Sequence, residues 1–186
     1  MYKRQKYDSG LQTRVIGPNL VKFTYFFSIL FAAYHYITSG IGVPIDYWHM
    51  GSHMAGVMIL VFIGFPAIRG KSASSLKPNS WWIYGNVPIW DWVLIIAGVS
   101  SAYYVGITYE IDFEFLGQRF QLPDQVMRQG NPARIDVVFG TILVCVLLEA
   151  VRRTLGIIVP IIICIFTVYA VFGMYMPFQI LKHPGV

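Results

Sequence analysis

Acidic side chains are scarce in this sequence: nine Asp and Glu stand among 186 residues, against fourteen Lys and Arg. Charged residues make up 12% of the chain, about half the share of a typical soluble domain. That scarcity excludes a polypeptide solvated on all sides. Cysteine is equally sparse. Cys145 and Cys164 both lie inside apolar runs, which excludes a disulfide framework and leaves the redox compartment undefined. Also missing are a glycine-rich phosphate loop, a nucleophile–base pair and a metal-ligand cluster at recognisable spacing. No catalytic residue, cofactor or metal is therefore expected, and the chain is not expected to be an enzyme. The net charge of +5 comes from basic residues divided among the ends of apolar runs. A nucleic-acid surface would gather them on one face, so no nucleic-acid partner is expected.

What the chain does contain is long hydrophobic runs. In the stretch Ile135–Pro177 two of them, Ile135–Val151 and Leu155–Pro177, flank Arg152 and Arg153. The second has 23 residues and no charge, more than the roughly 20 that a helix needs to cross a bilayer. Three further runs precede it. The expected fold is all-α: a single membrane domain over 1–186, a polytopic helical bundle of five transmembrane helices near 20–41, 49–68, 88–108, 135–151 and 155–177. The 17-residue run Ile135–Val151 is short for a span, and a four-helix count follows if it lies in the membrane interface. The first run is too long for a signal-peptide core and others follow it, so it is expected to remain in the chain.

Basic residues orient such a bundle. Alternate sides of five spans receive ten Lys and Arg (Lys3, Arg4, Lys6, Arg14, Lys22, Arg69, Lys71, Lys77, Arg152 and Arg153) and four (Arg119, Arg128, Arg134 and Lys182). The basic side is expected to be cytoplasmic. The amino terminus then lies inside, while the carboxyl terminus and a loop over 109–134 lie outside. In that loop Glu110, Asp112 and Glu114 alternate with Ile111, Phe113 and Phe115, the period-two pattern of an extended segment.

Few residues are candidates for chemistry. Trp81, Trp82, Trp90 and Trp92, with Tyr84, read as an interfacial aromatic belt or as a partner-binding surface. Together with Arg152 and Arg153 they are the expected depth anchors against membrane lipids. Glu149 is a carboxylate inside a span, by default a functional hypothesis. Arg152 and Arg153 follow it at the third and fourth positions, so a structural ion pair is expected. Asp46, Asp91 and Asp136 open predicted spans, where a carboxylate suits the helix dipole. Pro160 should kink the last span. His49 and His53 share a helix face and His35 falls at the same depth. They read as interfacial hydrogen-bonding residues, or as ligands of a haem between helices.

Asp91-Trp92, Arg134-x-Asp136-x3-Gly140, Leu148-Glu149-Ala150-x-Arg152-Arg153-x2-Gly156, Pro160, Tyr169-x3-Gly173 and Pro177 occur in that order. The set resembles the amino-terminal, small-subunit region of tripartite ATP-independent periplasmic (TRAP) transporters of the TAXI type. The likeness is concentrated in Asp91–Val186, and Leu-Glu-Ala-x-Arg-Arg is its most specific stretch. In many members this region is fused to a larger transport subunit, and here the chain stops where that continuation would begin. The resemblance implies a separately encoded, non-catalytic scaffold subunit in the cytoplasmic membrane of a bacterium or archaeon. Its partners would be a large TRAP membrane subunit, which carries the substrate and ion site, and a periplasmic substrate-binding protein that delivers small organic acids. Import would be symport driven by sodium or protons. Docking of the binding protein is expected at Glu110, Asp112 and Glu114. The competing expectation is a haem-binding membrane anchor of a redox complex, built on His35, His49 and His53.

Overall fold

The computed structural model describes residues 13–42, 46–67, 83–106, 111–115, 118–122 and 130–175. Five helices account for most of them: α1 (Pro18–Ile41), α2 (Asp46–Gly64), α3 (Ile89–Gly106), α4 (Arg134–Thr154) and α5 (Ile158–Phe172), the last extended by a 3-10 turn over Gly173–Tyr175. Two small antiparallel ribbons interrupt them. β1 (Ile83–Tyr84) pairs with β2 (Val87–Pro88) just before α3, and β3 (Ile111–Phe115) pairs with β4 (Gln118–Leu122) between α3 and α4. α1 and the helix continuing through Tyr175 are long and apolar enough to cross a bilayer. The apolar parts of α2 and α3 are shorter.

The helices run up and down. Arg14, the end of α2, the start of α3 and the end of α4 gather at one pole, called here the arginine end. The end of α1 and the start of α2 form the opposite pole, the histidine end. α2, α3 and α4 make the core. Met58, Phe62 and Ile63 of α2 are fully buried with Val87, and pack with Ile95 and Ala102 of α3 and Leu143, Val146 and Ala150 of α4. Each such side chain contributes about 1.5–3 kcal/mol when fully removed from water. Small residues set the spacing. Gly98 of α3 is buried where a Cβ would lie 2.3 Å from Met58 Sδ and 3.0 Å from Val146 Cγ1, so three helices meet there because the position has no side chain.

α1 and α5 stand outside this core. Leu20 and Thr38 are the buried residues of α1, and Pro160 is the buried residue of α5. Both helices therefore present Phe, Ile, Val and Tyr side chains on their outer surfaces.

Local chemistry explains where the elements stop. Pro66 follows α2, which ends at Gly64 rather than continuing to residue 68 as the hydrophobicity predicts, because the residue before a proline is driven out of helical geometry. α4 has 21 residues, longer than the apolar run Ile135–Val151, since its charged ends are themselves helical. At about 1.5 Å per residue it is roughly 31 Å long. It closes at Gly156, whose φ of 95° lets its N–H reach the Arg152 carbonyl at 3.1 Å. The chain thus breaks before Pro160. The predicted kink is absent because Pro160 sits in the first turn of α5, where no helical partner is lost. The alternation in 109–134 becomes the β3–β4 ribbon, with Asp112 opposite Gln121 and Glu114 opposite Arg119.

Candidate functional site: a buried arginine–carboxylate clamp

The arginine end is assembled from four separate parts of the chain. Residues 13–17 lead into α1 without regular secondary structure, and the Arg14 N–H donates to the carbonyl of Gly64 at 2.7 Å. The β1–β2 turn holds this segment in place. Gly85 and Asn86 take φ values of 59° and 67°, the left-handed pair that a tight hairpin turn requires. The Gly85 carbonyl accepts the Gly17 N–H at 2.9 Å, and Asn86 Nδ2 donates to the Val15 carbonyl at 3.2 Å. A Cβ on Gly17 would lie 3.2 Å from the Gly85 Cα. Two glycines permit this close approach, which delivers the Arg14 side chain to the bundle.

Asp91 receives it. Third in α3, Asp91 is 2% exposed. Its Oδ2 accepts a hydrogen bond from Arg14 Nη2, and its Oδ1 accepts one from Arg153 Nη2 at 2.8 Å. Both guanidinium groups are as buried as the carboxylate. Arg153 Nε then donates to Glu149 Oε1 at 2.7 Å, and Arg152 holds both oxygens of Glu149 through Nε at 2.7 Å and Nη2 at 2.8 Å. Five side chains from the amino-terminal segment, α3 and α4 form one network.

Three guanidiniums face two carboxylates, which leaves one positive charge to be accommodated in a site that is largely dry. The end of α2 supplies the answer. Arg14 donates to the carbonyls of Phe62 and Phe65, each at 3.4 Å, Arg153 to that of Phe65 at 3.3 Å, and Arg152 to that of Ala67 at 2.9 Å. The Phe62 oxygen is one of the acceptors left unpaired in the last turn of α2, at the negative pole of its dipole, and those of Phe65 and Ala67 lie just beyond the helix end. The Arg153 guanidinium also lies 4.8 Å from the centroid of the Phe62 ring, a cation–π arrangement. Charge is thereby spread over two acids, a helix end and a ring. A buried ion pair stripped of such partners would be costly.

The structure thus brings Glu149, Arg152 and Arg153 together and adds Arg14 and Asp91. Asp91 lies in the first turn of α3, as expected, and its two oxygens are occupied by arginines. Asp136 does serve a helix start: its Oδ2 accepts the Ala133 N–H at 2.7 Å, and its Oδ1 accepts the Tyr104 hydroxyl at 2.5 Å. The expected belt divides. Trp90 is 70% exposed, whereas Trp92 is partly buried against the core with Tyr84 6.0 Å away. Trp81, Trp82 and Glu110 lie outside the described residues, as do the side chains of Asp112 and Glu114, although their backbone is part of β3.

At the opposite pole His35, His49 and His53 come together. His53 Nδ1 is 3.2 Å from His35 Nε2, and the Tyr34 hydroxyl is 3.1 Å from His49 Nδ1. A haem between His35 and His53 requires nitrogens on opposite sides of the iron, about 4 Å apart at roughly 2 Å per bond. Their direct contact does not fit that group. Among the described residues no trio of His, Cys, Asp or Glu is placed to hold a metal ion.

Compared with protein-family models, curated proteins and solved structures, the chain gives no match. The clamp is saturated with internal partners: all three arginines and both acids are used in holding four elements to one another. Among the described residues, cavities lie elsewhere. One of about 420 Å³ is bounded by Gly17, Leu20, Phe23, Tyr84 and Trp92, and one of about 290 Å³ by Phe27, Phe31, Ile59, Val99 and Tyr103. Neither contains a carboxylate, an imidazole or a basic side chain among its lining residues.

Proposed function

We propose that this chain is the small scaffold subunit of a TAXI-type TRAP transporter, a multi-pass protein of a prokaryotic cytoplasmic membrane. In this reading all five helices span the bilayer, with the arginine end cytoplasmic and the histidine end facing the periplasm. The larger membrane subunit carries substrate and coupling ion, and this chain holds it steady while the transport part moves. The observation that carries the reading is the clamp. A charge network closed on itself ties four elements into one end and uses all five of its charged side chains in doing so.

Two further features support it. α1 and α5 expose apolar faces suited to lipid and to a neighbouring membrane subunit, since hydrophobic side chains in that number are unfavourable in water. The stretch Leu148–Gly156, on which the family resemblance chiefly rests, is also the part of α4 that builds the clamp. In the same reading the β3–β4 ribbon lies outside, and Glu110, Asp112 and Glu114 help to dock the periplasmic binding protein.

Uptake in vesicles tests the whole reading. Organic-acid uptake should require this chain, the large subunit and the binding protein together. Purification in mild detergent should recover the large subunit with this chain. Transport by this chain alone, or full transport without it, overturns the proposal. Reversing charge at Glu110, Asp112 and Glu114 should weaken binding-protein affinity, and unchanged uptake would remove the docking role.

A further inference from the structure

α1 is attached to the rest of the bundle at its two ends and poorly between them. At the arginine end Leu20 joins the core, and the preceding Gly17 is hydrogen-bonded to the β1–β2 turn. At the histidine end Phe31, Tyr34 and His35 mesh with His49 and His53 of α2. The His35 ring lies 4.8 Å from that of His53 and 5.1 Å from that of His49, edge to face in both cases. The Phe31 ring stands edge-on to His35 at 4.6 Å and beside His53 at 5.8 Å. Gly56 makes room for it, since a Cβ there would sit 2.3 Å from the ring. The 290 Å³ cavity opens along the helices from this contact, between α1, α2 and α3. Among the described residues the side-chain hydrogen bonds joining α1 to α2 are Tyr34–His49 and His35–His53.

The bond between the two imidazoles depends on protonation, whereas the Tyr34 hydroxyl can either donate to His49 or accept from it. The 3.2 Å contact between His35 Nε2 and His53 Nδ1 needs one nitrogen to carry a hydrogen and the other to offer a lone pair. One added proton is compatible with that bond. A second leaves two N–H groups pointing at one another on two cations. The groups facing the imidazoles are Tyr34 and Phe31 from α1 and Ser52 from α2, with Tyr103 of α3 reaching Ser52 at 3.4 Å. Among the described side chains no carboxylate forms an ion pair with any of the three histidines. His53 is exposed, so the cluster opens onto the surface of the bundle.

We propose that the histidine end is a proton-released latch. With the cluster neutral or singly protonated it seats the end of α1 on α2. With two or more protons it lets that end swing away, hinged at the Gly17–Gly85 contact, and widens the cavity beside Phe31. Imidazole takes up a proton on acidification, so lowering the pH is the trigger. The inference concerns this chain alone and stands whether or not the transporter reading holds.

Spin-label distances test it. In full-length protein in lipid nanodiscs, with Cys145→Ser and Cys164→Ser to clear the background, labels go at Ile37→Cys on α1 and Met50→Cys on α2, both exposed positions. The separation should lengthen by several ångströms between about pH 8 and pH 5 and return on neutralisation. The His35→Gln, His53→Gln double variant should show one distance throughout, whatever its value, and His49→Gln should retain most of the change. A separation independent of pH in the chain with all three histidines overturns the latch. So does an equal change in the double variant.

Discussion

Arg153 and Asp91, 62 positions apart in the chain, meet in the interior with a guanidinium nitrogen 2.8 Å from a carboxylate oxygen and both side chains 3% exposed. The other oxygen of Asp91 holds Arg14. A single carboxylate thus ties the amino-terminal segment and the end of α4 to the start of α3. Removing one partner leaves the rest charged and unmatched in a dry site, which costs far more than the pair returns in net stability.

Asp91→Asn should therefore destabilise the protein by about 3–5 kcal/mol. The amide keeps the shape but leaves two buried guanidiniums facing a neutral group. Thermal unfolding in mild detergent is the measurement. A shift no larger than that of a surface substitution would show the clamp to be energetically idle. In a double-mutant cycle, Arg14→Met combined with Asp91→Leu should cost less than the sum of the single changes, because the two partners are coupled.

Glu149→Gln should cost much less, about 1 kcal/mol. Its side chain is 26% exposed and that of Arg152 is 36% exposed, so water and salt screen the pair. Added salt should erode the contribution of Glu149 and leave that of Asp91 nearly intact. Equal salt sensitivity of the two variants would contradict the burial that separates them.

Gly98→Leu should destabilise the bundle, by about 1–3 kcal/mol, through overpacking. A Cβ at this position already crowds Met58 and Val146, and a longer side chain cannot be placed by moving Met58 alone. By contrast, Gly140→Ala in α4 meets nothing within 4 Å and should stabilise slightly, by up to about 1 kcal/mol, since glycine is the poorer helix former. Stability measured side by side separates them. Equal effects would mean that the α2–α3–α4 junction is looser than described.

Cys145 and Cys164 are both exposed on the bundle surface. If α4 and α5 span a bilayer, neither thiol should react with a membrane-impermeant maleimide in intact vesicles, while both should react once the protein is unfolded in detergent. Labelling of Cys164 in intact vesicles would remove α5 from the hydrocarbon.

The sequence by itself determined that this chain is built of apolar helices, because runs of about 20 hydrophobic residues with charges at their ends have few other solutions. It also determined the Glu149–Arg152–Arg153 contact, since residues three and four apart on a helix are neighbours before any tertiary fold exists. Helix ends were less legible. Pro66, Gly156 and Pro160 each moved a boundary by geometry that hydrophobicity does not register. Only the tertiary structure decided that Arg14 and Asp91 are partners. Nothing local marks two charges 77 positions apart as a pair; the β1–β2 turn had to fold back on Gly17 before the arginine could reach α3. The three histidines followed the same rule: the spacing of His49 and His53 within α2 was visible, but their contact with His35 of α1 depended on Gly56 leaving room for Phe31.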